Sequence, residues 1–209
     1  MNELMSGRHP IGGPFSLSDA AGRRVALADF QGRLVLLYFG FASCPDVCPT
    51  DLAIIGEALR SLGPSAAQVQ PLLITLDPER DSPTLLQDYA AAFHPGFIAL
   101  TGSAEEVRRV ATTIKVFFEK VPVRGGQTYV IDHTAYTFLL DRDGKFVTLF
   151  PPGTPAQRMV EMVRDQLASQ PSTASFSSRG RWTMIQCPVS NSITREPGCA
   201  ATRSAHRRE

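Results

Sequence analysis

Six consecutive apolar residues, Leu34-Val35-Leu36-Leu37-Tyr38-Phe39, constrain this chain more than any other feature. Nothing polar interrupts them, so a strand formed here has no face to offer to water. Strands of that kind lie at the centre of sheets covered on both sides, the usual setting of a parallel sheet in an α/β protein. The whole apolar stretch, Leu34 to Ala42, is about half the ~20 residues that a membrane-spanning helix needs.

The rest of the chain supplies the covering layers. Leu52, Ile55, Leu59 and Leu62 recur at helical spacing until Gly63-Pro64 stops them. Pro71 to Leu76 reads as a second buried strand. Ser82-Pro83 opens a second helix, with proline in its first turn. Phe97 to Leu100 is a third strand, and Ser103 with Glu106 forms a capping box for a third helix. The pattern then changes: Tyr129-Val130-Ile131, Thr134 to Leu140 and Lys145 to Phe150 read as strands, with a hairpin turn at Asp141–Gly144. Thr154-Pro155 opens a last helix. Upstream, Gly12-Gly13-Pro14 feeds a short strand through Phe15-Ser16-Leu17. Alternating βα units predict an α/β fold, a central mostly parallel sheet flanked by helices. With an N-terminal strand extension and a C-terminal β-hairpin, the layout is similar to a thioredoxin-like domain.

At 209 residues, the chain is long enough for one sizeable core and short of two. Residues 1–10 read as a polar leader, 11–169 as the domain, and 170–209, rich in Ser, Gly and Arg at its start, as a disordered tail. A formal net charge of +1 gives no footprint for nucleic acid. The basic residues that cluster near the C-terminus read as a solvated tail.

Four cysteines are too few for a disulfide-stapled scaffold. Cys187 and Cys199 fall in the tail and have no assigned role. Cys44 and Cys48 stand between the central strand and the first helix, in the sequence Cys44-Pro45-Asp46-Val47-Cys48-Pro49. Sites in open α/β sheets form beyond the carboxyl ends of strands, and a helix N-terminus favours a thiolate. Cysteines four apart on one helical turn can converge on an ion or, with local adjustment, form a disulfide. A further ligand has to come from elsewhere. His9 and His206 are terminal, and His94 reads as a helix-end residue. His133 precedes a strand and, in a thioredoxin-like layout, faces the cysteines. Two thiolates and an imidazole suit copper(I) or zinc. Three ligands without a fourth fit copper better, because zinc favours four.

These residues resemble the SCO/SenC family of copper-binding, thioredoxin-like proteins. The resemblance rests on Gly12-Gly13-Pro14-Phe15-Ser16-Leu17, on Phe39-Gly40-Phe41 leading to Cys44 and Cys48, on Asp77-Pro78-Glu79-Arg80-Asp81, and on Asp132-His133-Thr134. It implies that Cys44, Cys48 and His133 bind copper and that the two cysteines also cycle between dithiol and disulfide. It implies a metallochaperone for the binuclear copper centre of cytochrome c oxidase, with the oxidase's copper-binding subunit and other copper chaperones as partners. The alternative is a thiol–disulfide oxidoreductase that reduces the subunit's copper-ligand cysteines. A peroxidase fits less well, because no activating arginine and threonine accompany Cys44. Asp77 and Asp81 read as turn and cap residues, and Asp46 and Asp132 as carboxylates that tune the thiols or are simply solvated. The family's location is the periplasmic side of the inner membrane, usually by an anchor or lipid-modified signal. Met1 to Pro10 shows no apolar stretch of that kind.

Overall fold

The computed structural model describes residues 11–123 and 128–169. The polar leader and the tail read from the sequence lie outside those residues, as do Cys187, Cys199, His9 and His206. The apolar run forms β3 (Leu34–Gly40), after a short hairpin of β1 (Ser16–Ser18) and β2 (Arg24–Ala26). All seven residues of β3 are buried, as an uninterrupted apolar run requires. β3 is the middle strand of a five-stranded sheet. On one side it pairs in parallel with β4 (Val69–Thr75), which pairs in parallel with β5 (Ile98–Leu100). On the other side it pairs antiparallel with β8 (Thr137–Leu140), the first strand of a hairpin completed by β9 (Phe146–Phe150).

Two helices make the parallel crossovers: α1 (Val47–Leu62) leads from β3 to β4, and α2 (Pro83–Phe93) leads from β4 to β5. Leu52, Ile55 and Leu59 of α1 are each 1% exposed or less, and each contributes about 1.5–3 kcal/mol by burial. Ser82 caps α2, accepting the Leu85 N–H at 3.3 Å. The Ser103–Glu106 capping box opens α3 (Ala104–Ile114) as expected. α4 (Ala156–Ser169) packs along α1. No helix of the described residues is long and apolar enough to cross a membrane.

A two-stranded ribbon stands apart from the main sheet. It joins β6 (Phe118–Pro122) to β7 (Tyr129–His133). The sequence did not mark β6, because Phe118-Glu119-Lys120-Val121-Pro122 is exposed along most of its length and carries a proline.

Register brings three chain segments to one end of the sheet. Gly40 pairs with Thr75, so the loops after β3 and β4 leave side by side. Thr137 pairs with Tyr38, so the antiparallel β8 enters at that same end. The cysteine loop, the 77–81 turn and residues 133–136 therefore meet at the carboxyl ends of β3 and β4, where α/β folds build sites.

Candidate metal centre

The first helix begins earlier than the apolar periodicity indicates. It starts at Val47, so Cys48 sits in its first turn while Cys44 remains in the loop before it. Pro49 is tolerated there, because first-turn N–H groups have no partner within the helix. The N–H of Cys48 is one of those free donors, and it points at the Cys44 sulfur, 3.5 Å away. Both cysteines are free thiols, Cys48 buried and Cys44 half-buried.

Cys48 is wedged against the central strand. A Cβ added to Gly40 would come within 3.1 Å of its sulfur and 2.9 Å of the Tyr38 ring, so only glycine permits this approach. Behind it, the Tyr38 hydroxyl reaches Asp51 at 3.3 Å, and Asp51 also accepts the Gly153 N–H at 2.9 Å.

His133 does not lie in a loop; it is the last residue of β7. Its Nε2 stands 3.6 Å from the Cys48 sulfur. Its Nδ1 lies 3.2 Å from the Thr134 carbonyl. A carbonyl only accepts, so Nδ1 carries a proton, and Nε2 is the ring nitrogen turned toward the sulfurs. Tying off one ring nitrogen in this way is how proteins orient a metal-binding histidine. The Phe41 ring meets the imidazole edge-on, with centroids 5.9 Å apart. The ligand atoms of Cys44, Cys48 and His133 all lie within 4.8 Å of one another. Two soft sulfurs and an imidazole at that separation fit a thiophilic ion such as copper(I) or zinc.

The two thiols are electrostatically unequal. Cys44 is pulled down to about 4, chiefly by a hydrogen bond from the Cys48 thiol and further by His133 and the N–H groups of Asp46 and Cys48. Cys48 is pushed up by that same hydrogen bond to Cys44 and by burial. The pair shares its protons: the first leaves Cys44, and Cys48 keeps the second.

His94 caps the C-terminal end of α2, where its Nδ1 accepts the Gly96 N–H at 3.1 Å, and it is not among the three clustered ligand residues. The side chains of Asp46 and Asp132 are exposed, and Asp46 acts on Cys44 through its backbone N–H. Asp77 and Asp81 are more than turn residues. Both are buried, and Asp81 accepts the Thr75 hydroxyl at 2.7 Å and the Ala42 N–H at 3.1 Å. The sequence shows Tyr38 only as part of the apolar run and Gly40 only as part of the Phe39-Gly40-Phe41 motif, and it does not mark Asp51 as a site residue. Asp51 carried a signal, since it occupies the apolar face of α1 four residues before Ile55.

Fold and site together define a thioredoxin-like protein with a Cys-Cys-His cluster whose geometry fits a soft metal. The family model described as SCO1/SenC matches residues 4–168, and the chain belongs to that family. It is 40% identical over 159 residues to the bovine protein SCO2 homolog, mitochondrial, a match covering 75% of this chain and 60% of that one. It is 36% identical over 170 residues to yeast protein SCO1, mitochondrial, covering 78% of this chain and 58% of that one. The chain thus spans less than two thirds of the length of these two relatives. Among solved structures it is similar to Bradyrhizobium japonicum ScoI with copper bound, at 39% identity and a TM-score of 0.69. That match covers 75% of this chain and 99% of the other.

Proposed function

We propose that this protein carries a copper ion on Cys44, Cys48 and His133 and delivers it to the binuclear copper centre of cytochrome c oxidase during assembly. The observation that carries the reading is the convergence of the three ligand atoms within 4.8 Å. The choice of copper is supported by the copper-bound ScoI to which the chain is similar. Family membership supports the oxidase's copper-binding subunit as acceptor, other copper chaperones as further partners, and the periplasmic side of the inner membrane as location. Unequal burial of the two sulfurs suits delivery: half-buried Cys44 is open to an incoming ligand, while buried Cys48 holds the ion from within. Anaerobic copper(I) titration of the reduced protein tests the site. One equivalent is expected to bind, with weaker binding in His133→Ala; unchanged affinity in that variant would rule out the three-ligand site.

A second reading is favoured by the inequality of the thiols. The accessible Cys44 thiolate would attack a target disulfide and displace one target thiolate, forming a mixed disulfide. Cys48, once deprotonated, would then attack the Cys44 sulfur and release the second target thiolate. Two electrons pass to the target, and Cys44 and Cys48 end joined. This thiol–disulfide oxidoreductase would reduce the copper-ligand cysteines of the oxidase subunit. It predicts that His133→Ala retains reductase activity and that either Cys→Ser variant loses it.

A further inference from the structure

The turn between β4 and α2 touches both arms of the candidate centre. On the cysteine side, Asp81 holds the Ala42 N–H, two residues before Cys44. On the histidine side, the fully buried Asp77 accepts the Tyr129 hydroxyl at 2.8 Å and pairs with the Arg80 guanidinium. Arg80 in turn donates to the Tyr129 carbonyl at 3.0 Å, and its guanidinium carbon lies 3.9 Å from the centre of the Tyr129 ring. Tyr129 is therefore held by its hydroxyl, its ring and its backbone at once. It opens β7, the strand that His133 closes.

The ribbon needs such an attachment. Two strands alone are marginal in water, and β6 and β7 pair only with each other. Among the described residues, apart from the His133 contact, the hydrogen bonds that join this ribbon to the body of the domain end on the 77–81 turn. They are those of Tyr129 and the Lys120–Glu79 pair at 2.7 Å.

We propose that Asp77, Arg80 and Tyr129 are positioning residues, a strap that sets where the His133 imidazole stands relative to the Cys48 sulfur. The inference rests on reading Cys44, Cys48 and His133 as a copper site. None of the three strap residues touches the ligand atoms. They act by fixing the far end of the strand that presents the histidine, while Asp81 fixes the loop that presents Cys44. One turn thereby keeps two independent chain segments in register.

The test is a double-mutant cycle on the full chain. Copper(I) affinity is measured by anaerobic chelator competition in wild type, Tyr129→Phe, Asp77→Asn, His133→Ala and Tyr129→Phe/His133→Ala. Groups that orient metal ligands typically cost about 10-fold to 100-fold in affinity when removed, and that loss is expected for Tyr129→Phe and Asp77→Asn. In the His133→Ala background, Tyr129→Phe is expected to cost nothing more. Equal losses in both backgrounds would mean general destabilisation and overturn the proposal, as would wild-type affinity in both single variants. If Asp77→Asn does not fold, Tyr129→Phe carries the test, since it removes one oxygen and keeps the ring. A metal-free readout separates this inference from the copper reading. The NMR signals of the His133 ring are expected to shift in Tyr129→Phe. Unmoved signals overturn the strap, whereas a wild-type protein that takes up no copper overturns the copper site.

Discussion

The Cys48 sulfur lies 3.6 Å from Nε2 of His133, across 85 positions of sequence. Nothing local enforces that approach. Cys48 is fixed by burial in the first turn of α1 against Gly40, and His133 by the end of a ribbon outside the main sheet. One half of the site is thus held rigidly by packing on the central strand and the other by the ribbon, and its variants divide along the same line.

Gly40→Ala tests the rigid half. The added methyl would meet the Cys48 sulfur at 3.1 Å and the Tyr38 ring at 2.9 Å, and both are fully buried. Overpacking of this kind costs about 1–3 kcal/mol. Thermal unfolding is expected to show that loss, and copper(I) titration a weakened site, because the sulfur has nowhere to retreat. An alanine variant with wild-type stability and copper affinity would mean that Cys48 is not wedged as described.

The inequality of the thiols predicts an unusual reactivity profile. An ordinary cysteine titrates near ~8.5, so its alkylation rate rises about tenfold per pH unit below that value. Cys44, held at about 4, is already a thiolate throughout that range. Its alkylation by iodoacetamide is expected to be nearly flat between about pH 6 and 8, while the buried Cys48 stays unmodified. Cys44→Ser is expected to abolish the flat phase. The same shift sets a stability dependence: a lowered thiol pKa contributes stability above the unfolded value, lost as pH falls through the folded one. A Cys44 rate that climbs tenfold per unit would refute the assignment.

The central layer of this fold is legible in the sequence because its signals are local. An unbroken apolar run gives β3, and Ser82-Pro83 and Ser103 with Glu106 mark the starts of α2 and α3. The cysteine pair is legible for the same reason, through its spacing at a strand–helix junction. The ribbon is not, because β6 is largely exposed and its pattern is that of a loop. The roles of Asp77 and Asp81 were also hidden. Their partners, Tyr129 and Ala42, are 52 and 39 positions away, and a turn aspartate looks the same whether it caps its own loop or holds another. His133 came to the site through topology and family resemblance, since its ligand geometry depends on a ribbon the sequence did not show.

Asp51 predicts a pH effect of opposite sign to that of Cys44. Burial raises its pKa, offset in part by the Gly153 N–H and the Tyr38 hydroxyl. A raised carboxyl pKa gives stability that is present below the unfolded value and lost as pH rises through the folded one. In Asp51→Asn the amide oxygen can still accept from Gly153, and the Tyr38 hydroxyl can accept from the amide nitrogen. The melting temperature of Asp51→Asn relative to wild type is therefore expected to rise between about pH 4 and 7. A difference that stays constant with pH would show that Asp51 keeps an ordinary pKa in the fold.

Copper uptake should be visible as stability, because an ion that binds only the folded chain shifts the unfolding equilibrium by mass action. At free copper(I) about 1,000 times the dissociation constant, the gain is about 4.1 kcal/mol. For a domain of this size each kcal/mol moves the midpoint by about 2–4 °C, so a rise of roughly 8–16 °C is expected in wild type. His133→Ala removes one of the three proposed ligands. If its affinity falls about 100-fold, roughly 2.8 kcal/mol of that gain disappears at the same free copper. Cys48→Ser should lose at least as much, since it removes a sulfur that no other described thiol can replace. A copper(I) chelator should return the wild-type midpoint to its metal-free value. An equal copper-induced rise in wild type and His133→Ala would place the ion on the two sulfurs alone and leave the histidine to hold Cys48 in position.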